Sequence, residues 1–186
     1  MRYVIVVDMQ KDFITGTLGS KQARDIVPTM VRTLESYRHT DTALIFTQDT
    51  HNDDYLNSME GKKLPVPHCA LGTEGWEIID ELVPYTTDVD YAHPDLAPFA
   101  ANGKIYKPTF GSLDLVNLLY NFEEKIDEIV LMGVCTGICV ISNTLLLKAA
   151  FPEVPIRVME NCCACVSEDT HNTAIEAMKL CQIDII

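Results

Sequence analysis

Three side chains that lie far apart in the chain could together activate a nucleophile. Cys139 lies in Gly133-Val134-Cys135-Thr136-Gly137-Ile138-Cys139-Val140, which runs from an apolar stretch through a turn into a helical pattern. In the first turn of a helix, unpaired N–H groups and the positive dipole end favour a thiolate and can hold an oxyanion. An ammonium such as Lys107 would lower the pKa of this thiol further, and a carboxylate such as Asp8 could accept its proton. Each residue alone is compatible with a structural role, but the combination favours a cysteine hydrolase.

A second group of residues could bind a metal ion. Asp49 and His51 are two positions apart, and Glu60 and His68 follow in the same segment. Carboxylate oxygens and neutral imidazole nitrogens suit Zn²⁺, Fe²⁺ or Mn²⁺. The spacing alone favours an ordinary polar loop, because an Asp-x-His pair is common there. Two prolines just before His68 stiffen the chain and limit the entropy lost in ordering a ligand.

Short apolar runs that alternate with amphipathic stretches predict the elements that position these residues. Strands are expected at residues 3–7, 43–47, 104–107, 128–134 and 155–159, with a last edge strand at 183–186. Helices are expected at residues 25–37, 76–82, 113–122, 138–150 and 167–180. Strands separated by helices indicate a mostly parallel sheet with helices on both faces, which is an α/β fold.

The predicted strand ends bring the reactive residues to one edge of this sheet. Asp8 follows the first strand, Asp49 and His51 follow the second, Lys107 ends the third, and Cys139 comes shortly after the fourth. Ligands of open parallel sheets bind at the carboxyl ends of the strands. We therefore expect the nucleophile and the metal ligands to share one site.

The length of 186 residues suits one domain over residues 1–186. Residues 50–75 form the longest stretch without a predicted element, and they contain Glu60 and His68. A loop of that length in a compact domain is usually functional or disordered. We interpret residues 49–75 as a metal-binding loop.

Composition limits the partners and the compartment. The chain has 14 Lys and Arg against 27 Asp and Glu, a net charge of −13, which disfavours contact with nucleic acid or an anionic membrane. No apolar stretch approaches the roughly 20 residues that span a bilayer. The seven cysteines and the absence of a signal-peptide pattern favour free thiols in the cytoplasm. Cys162, Cys163 and Cys165 lack paired C-x-x-C spacing and are expected to pack at a strand end, and Cys181 is expected in the core. His93 and His171 are expected to be structural or exposed.

Three motifs resemble those of the isochorismatase-like cysteine hydrolases. They are Ile5-Val6-Val7-Asp8-Met9-Gln10-Lys11-Asp12-Phe13, Tyr106-Lys107-Pro108-Thr109-Phe110 and the segment from Gly133 to Val140, in the order of that family. The resemblance implies a three-layer αβα sandwich with Rossmann-like topology and a catalytic triad of Asp8, Lys107 and Cys139. It also implies a cis peptide bond between Val134 and Cys135, with the N–H groups of Cys135 and Cys139 as the oxyanion hole. Gly137 stands where many relatives carry an acidic residue, which puts the rigidity of this turn in question.

The segment Gln48-Asp49-Thr50-His51, followed by Pro67-His68-Cys69 and Gly72-Thr73, resembles the metal-bearing branch of this family, the nicotinamidases. The resemblance implies one divalent ion, Zn²⁺ before Fe²⁺ or Mn²⁺, held by Asp49, His51 and His68. Glu60 is the expected fourth ligand, with Asp53 or Asp54 as the alternative.

This resemblance implies hydrolysis of nicotinamide to nicotinate and ammonia through a thioester on Cys139, with the ion on the pyridine nitrogen. Phe13 and Phe110 are candidate walls for the flat ring, and assembly into a homo-oligomer is common among relatives. Leu64 and Pro65 stand where relatives often place an aromatic residue, so the substrate could differ. The alternatives are another carbamoyl or ureido amide, isochorismate, or a non-enzymatic metal or redox sensor that uses the thiols.

Overall fold

A parallel six-stranded sheet forms the centre of the protein. The computed structural model describes residues 1–87 and 103–186. The strands are β1 Arg2–Val7, β2 Thr42–Asp49, β3 Lys104–Lys107, β4 Glu128–Val134, β5 Ile156–Ala164 and β6 Asp184–Ile185. Their order is β3-β2-β1-β4-β5-β6, and every neighbouring pair is parallel. The predicted α/β fold with a mostly parallel sheet is confirmed.

Two groups of helices cover the sheet. The helices are α1 Lys11–Ile14, α2 Lys21–Ser36, α3 Met59–Lys63, α4 Val83–Thr87, α5 Leu113–Tyr120, α6 Ile141–Ala150 and α7 Glu168–Leu180. In one group α1 and α4 pack against α2, and in the other α5 and α7 pack against α6. Three-residue 3-10 turns lie at Tyr55–Asn57, Glu74–Trp76 and Glu123–Lys125. The chain is therefore a three-layer αβα sandwich. None of the helices in the described part of the chain is long and apolar enough to cross a membrane.

The central strand β1 fixes the position of the site because it is buried on both faces. Its residues from Tyr3 to Val7 are fully buried, as expected for a strand with a sheet neighbour on each side and helices above and below. Val7 pairs with Thr47 of β2 and Gly133 of β4. Gly133 has φ +125°, and a Cβ there would lie 2.1 Å from the carbonyl oxygen of Val7. Only glycine lets the ends of β1 and β4 approach this closely.

Helix α2 begins four residues before its predicted start. Ser20 is its N-cap, and the Ser20 side chain accepts a hydrogen bond from the N–H of Ala23. The first turn carries few apolar residues, so the apolar spacing placed the start at Asp25. A serine followed by a helical pattern is a capping signal that could have corrected it.

The predicted helix at residues 76–82 is wrong. After the 3-10 turn, this segment is extended: Ile78 forms an antiparallel bridge with Gln10, and the N–H of Ile79 donates to the carbonyl of Met9. Ile78, Ile79 and Leu82 are buried as predicted. The helix begins at Val83 instead, because main-chain pairing with residues 9–11 replaces hydrogen bonds within the segment.

Strand β5 and the turn after β4 also differ from the predictions. β5 continues five residues past its predicted end at Met159 to Ala164, with an irregularity in its pairing to β4. Cys162 and Cys163 therefore lie within this strand, not after it. Residues Thr136–Val140 form a π-helical turn before α6, so Cys139 precedes the α-helix rather than lying in its first turn. Ser167 caps α7: its side chain accepts from the N–H of Thr170, and the hydroxyl of Thr170 accepts from the N–H of Ser167.

Candidate functional site

The carboxyl edge of the sheet gathers the three residues of the expected nucleophile site. Asp8 follows β1, Lys107 is the last residue of β3, and Cys139 lies in the π-helical turn after β4. All three are buried, and Asp8 and Lys107 have no exposed surface. Strand order places β1 between the other two strand ends, so residues almost 100 positions apart meet.

The side chains of these three residues are in contact. Lys107 Nζ lies 2.6 Å from Asp8 Oδ2 and 3.6 Å from Cys139 Sγ. The hydroxyl of Thr47 donates to the other Asp8 oxygen at 2.6 Å. Lys107 also donates to the carbonyl of Thr109 at 3.1 Å. This is an ammonium, a carboxylate and a sulfur in one buried cluster.

The protonation of this cluster differs from the thiolate predicted from sequence. Burial, followed by the charge of Asp8, raises the pKa of the Cys139 thiol well above its ordinary value, and Lys107 only partly opposes this. Burial also raises the pKa of Asp8, against the effect of Lys107. Burial lowers the pKa of Lys107, but the charges of Asp8, Cys139 and Asp49 outweigh it, so the pKa is raised and Lys107 stays charged. Burial therefore favours a protonated sulfur at Cys139, next to a charged Lys107.

Asp49, His51, Glu60 and His68 form a second cluster next to the first. Their four candidate ligand atoms all lie within 4.8 Å of one another. His51 Nε2 is 2.9 Å from Asp49 Oδ2 and 3.7 Å from Glu60 Oε1. His68 Nε2 is 3.5 Å and 3.9 Å from the same two oxygens. Asp53 and Asp54, the alternatives to Glu60, are exposed.

The spacing of these atoms fits a divalent metal ion. Ligands about 2.0–2.1 Å from a tetrahedral zinc ion are about 3.3 Å apart, close to the separations seen here. His68 Nδ1 lies 2.8 Å from the carbonyl oxygen of Val66, which turns Nε2 toward the cluster as the second partner of a metal-bound histidine does. The cluster could therefore hold a divalent metal.

Asp49 connects the two clusters. Its Oδ2 faces the histidines, and its Oδ1 accepts from Lys107 Nζ at 3.4 Å. Burial raises the pKa of Asp49, but hydrogen bonds from His51 and His68 and the charge of Lys107 outweigh this and hold it below its ordinary value. Burial and the Asp49 charge raise the pKa of Glu60. Asp49 is thus an anion shared by the lysine and the candidate metal position.

One cavity of about 390 Å³ is lined by residues of both clusters. Asp49, Glu60 and His68 line it, and so do Cys135 and Cys139. Its apolar lining includes Phe13, Leu64, Phe110, Ile138 and Val166. A small molecule in this cavity would therefore have the thiol and the metal position within reach at once.

Phe13 and Phe110 both line this cavity, as predicted for the walls. The ring centroid of Phe13 lies 5.5 Å from that of His68, so Phe13 also supports a candidate ligand. Phe110 is 41% exposed and stands at the cavity mouth. Leu64, which stands where relatives often have an aromatic residue, also lines the cavity.

Several residues that organise the site were not identified from the sequence. The side chain of Gln10 bonds both the N–H and the carbonyl of Asp49, at 2.7 and 2.8 Å. Tyr55 packs against His51 and His68, with centroids 4.5 and 5.1 Å away. Asn143 donates to the carbonyls of Cys139 and Phe110. A buried amide in the apolar face of a helix is the signal that could have revealed Asn143.

The turn that carries Cys139 is held from α7. Thr136 is fully buried, and its hydroxyl lies 2.8 Å from Nδ1 of His171. His171, expected to be structural or exposed, is structural. This contact fastens the turn beside Gly137. The expected cis peptide bond between Val134 and Cys135 is present. His93, read in the same way as His171, lies outside the described residues.

The seven cysteines are all free thiols. Cys162, Cys163 and Cys165 are buried, as expected. The prediction that Cys181 lies in the core is wrong, because Cys181 caps the C-terminus of α7 and is exposed there. Cys69 is buried beside the metal cluster without belonging to it.

Comparisons with solved structures show proteins of the same fold. The nicotinamidase from Bacillus subtilis has a TM-score of 0.79 and 25% identity, over 99% of this chain and 98% of that one. The pyrazinamidase from Pyrococcus horikoshii, solved with zinc, has a TM-score of 0.78 and 20% identity over 100% and 98% of the two chains. N-carbamoylsarcosine amidase from Thermoplasma acidophilum has a TM-score of 0.72 and 21% identity over 99% and 94%.

No match was found among curated protein sequences. The family model described as the isochorismatase domain matches residues 2–186. Since that match covers nearly the whole sequence and the solved structures share the fold over their full length, the chain belongs to the isochorismatase family.

Proposed function

We propose that this protein hydrolyses nicotinamide to nicotinate and ammonia through a thioester on Cys139. One observation carries the proposal: a single cavity is lined by the sulfur and by three members of the Asp-His-Glu-His cluster. The thiol alone would suit many amides, and the cluster alone many metal sites. Their combination suits a flat amide whose ring nitrogen binds a metal ion. The nicotinamidase and pyrazinamidase among the similar structures support this choice.

Asp8 acts as the general base of the first step. Because the Cys139 thiol is protonated at rest, its proton passes to Asp8 as the sulfur attacks the carboxamide carbon. The raised pKa of Asp8 suits a group that must accept this proton and release it again. Lys107, 2.6 Å from Asp8 and 3.6 Å from the sulfur, stabilises the negative charge as it moves between them.

The tetrahedral intermediate collapses when Asp8 returns the proton to the leaving nitrogen. The C–N bond breaks, ammonia leaves and the thioester remains. Water then attacks the thioester as Asp8 takes its proton, and the departing sulfur of Cys139 regains that proton as nicotinate leaves. The oxyanion of both intermediates is held by the N–H groups of Cys135 and Cys139, which lie on the turn that carries the sulfur.

Asp49, His51, Glu60 and His68 would hold the metal ion. When bound, a divalent ion supplies a Lewis-acidic position that takes the pyridine nitrogen and so orients the ring. The chain's own residues complete the orientation: Phe13 and Phe110 flank the ring, and Gln10 fixes Asp49 through its main chain.

A second candidate is hydrolysis of another carbamoyl amide. Leu64 lines the cavity where an aromatic wall was expected, which leaves one side of the cavity less suited to stacking on a flat ring. The similarity in fold to N-carbamoylsarcosine amidase is in line with this alternative.

Ammonia release from nicotinamide, with and without a chelator, tests the proposal. We expect release from nicotinamide to exceed release from N-carbamoyl amino acids, and we expect the chelator to abolish it until Zn²⁺, Fe²⁺ or Mn²⁺ is restored. Release from a carbamoyl amino acid that exceeds release from nicotinamide and persists with the chelator would favour the second candidate.

A further inference from the structure

Cys135 and Cys165 form a thiol pair that the proposed reaction does not use. Val134 of β4 pairs with Ala164 of β5, and Cys135 and Cys165 are the residues that directly follow these two strand ends. Neighbouring strands lie about 4.8 Å apart, within the range of about 4.4–6.8 Å between the Cα atoms of a disulfide. Both residues line the same cavity, and each thiol shifts the pKa of the other. A disulfide between them therefore needs only a local shift of the turn at Cys135.

The sulfur of Cys165 is surrounded by hydrogen-bond donors. The Cys135 thiol, the Thr170 side chain and the N–H groups of Gly137 and Val166 all act to lower its pKa. Gly137 also allows the close approach, because a Cβ there would lie 3.4 Å from this sulfur. Donors on several sides of one sulfur stabilise a thiolate.

The pKa of the Cys165 thiol is therefore shifted in the opposite direction from that of Cys139. The hydrogen bond from Cys135, together with those from Thr170 and the main chain, lowers the pKa of Cys165 to about 5 against the effect of burial. Burial raises the pKa of Cys163, two residues before it on the same strand, to about 12. At neutral pH, Cys165 is thus a thiolate beside a neutral partner thiol.

Small oxidants can reach this pair. Both cysteines line the cavity that contains Cys139, and Cys165 also borders a second depression beside Ile138 and Thr170. Cys165 is only 4% exposed, which admits a molecule as small as hydrogen peroxide more readily than a larger reagent. The arrangement of an accessible thiolate next to a second thiol is that of a redox-sensitive site.

We propose that hydrogen peroxide converts Cys135 and Cys165 to a reversible disulfide that switches the enzyme off. The Cys165 thiolate attacks peroxide, and the O–O bond breaks to give a sulfenic acid and hydroxide. The thiol of Cys135 then attacks the sulfenic sulfur, and the S–O bond breaks. Overall, two thiols and one peroxide give one disulfide and two waters. A dithiol reductant reverses the oxidation.

The loss of activity rests on the proposed function, because Cys135 supplies one N–H of the proposed oxyanion hole. A disulfide brings the two sulfur atoms to about 2.05 Å, which pulls Cys135 toward β5 and removes the Cys135 donor from the Cys165 sulfur. The main-chain N–H of Cys135 is then displaced from the oxyanion. Loss of one such donor reduces kcat by about 10²–10³-fold in other hydrolases.

Peptide mapping after treatment with one equivalent of hydrogen peroxide tests the disulfide independently of activity. We expect a cross-linked peptide joining Cys135 to Cys165 and a free Cys139 thiol, both reversed by dithiothreitol. A sulfenic-acid trap should label Cys165 when the Cys135 thiol is removed in Cys135→Ser. Oxidation confined to Cys139, or no cross-link in the intact protein, would overturn the proposal even if nicotinamide is hydrolysed.

Activity is compared within each variant, before and after peroxide. After peroxide, the rate of wild type should fall at least about tenfold, and dithiothreitol should restore it. Cys165→Ser and Cys165→Ala should keep most of their own untreated rate, whereas the matched control Cys163→Ala should be inhibited like wild type. Equal inhibition of the Cys165 variants would contradict the switch. If wild type forms the disulfide but does not hydrolyse nicotinamide before oxidation, the disulfide is supported and the proposed function is rejected.

Discussion

At the scale of single residues, the site depends on one buried cation. Lys107 balances Asp8, Asp49 and the sulfur of Cys139, and it has no exposed surface. A buried charge that loses its partner is costly, because neither water nor another ion compensates it. The same lysine therefore contributes to stability and to the proposed chemistry.

Lys107→Met should lower the free energy of unfolding by about 3–5 kcal/mol, since it leaves two carboxylates facing each other without a cation. Urea denaturation measures this loss. The double variant Asp8→Asn with Lys107→Met should recover part of it. Lys11→Met is the matched control, because Lys11 forms its ion pairs with exposed acids at the surface, and it should leave stability nearly unchanged. A Lys107 variant as stable as the Lys11 variant would contradict this account.

Glu60→Gln should weaken metal binding by more than ~100-fold. Loss of a residue that only hydrogen-bonds to a metal ligand already weakens binding by up to ~100-fold, and Glu60 is proposed to bind the ion itself. The reason is that Glu60 Oε1 lies 3.7 and 3.9 Å from the two histidine nitrogens. Asp53→Asn, a change of an exposed acid in the same loop, serves as the control and should bind metal like wild type. Competition with a chromogenic chelator provides the affinities. Equal weakening in both variants would show that charge near the loop, not ligation, governs binding.

At the scale of elements, the site is built where strand ends and one polar helix residue meet. Asn143 of α6 accepts from the N–H of Ser112 and donates to the carbonyls of Phe110 and Cys139. These bonds connect the start of α5, the cavity-lining Phe110 and the turn that carries Cys139. Asn143 is thus a positioning residue that sets the turn relative to the β3 side of the site.

Asn143→Ala should destabilise the protein by about 2–4 kcal/mol, because buried main-chain groups lose their partners, and should reduce kcat at least about tenfold through misplacement of the sulfur. Asn121→Ala is the control: Asn121 is exposed and bonds to its own helix, so its loss should cost no more than about 0.5 kcal/mol. Thermal unfolding and steady-state rates of both variants provide the test. A loss of stability without any change in kcat would refute the positioning role.

The sequence predicted the strands better than the turns, for a physical reason. β1 and β4 are continuous apolar runs, which only a strand buried on both faces explains. Residues 76–82 also show apolar positions at helical spacing, yet their main chain pairs with residues 9–11. Such long-range pairing leaves no periodic signal. The resemblance to a family identified the residues of both clusters, but neither the resemblance nor the spacing revealed that burial raises the pKa of the Cys139 thiol.

At the scale of the whole molecule, the metal cluster joins the sheet to the long loop. Asp49 ends β2, His51 and His68 lie in the loop, and Glu60 lies in α3. Without an ion, Asp49 and Glu60 are two carboxylates held close together, and burial followed by the charge of Asp49 raises the pKa of Glu60. An ion would remove this repulsion and connect residues 49–68 to the sheet.

Zn²⁺ at about 100 times its Kd should therefore stabilise the folded protein by about 2.7 kcal/mol, which for a chain of this size raises Tm by about 5–10 °C. Calorimetry with and without a chelator measures the shift. His51→Ala should abolish the shift while keeping the fold. An equal shift in that variant would place the ion elsewhere.

Mass spectrometry of the protein quenched in acid during turnover of nicotinamide tests the central claim most directly. We predict a nicotinoyl adduct on Cys139 that disappears as substrate is consumed. We predict neither an adduct nor turnover in Cys139→Ala, with metal binding and thermal unfolding retained. Turnover in that variant, or an adduct found on another cysteine such as Cys165, would contradict Cys139 as the nucleophile.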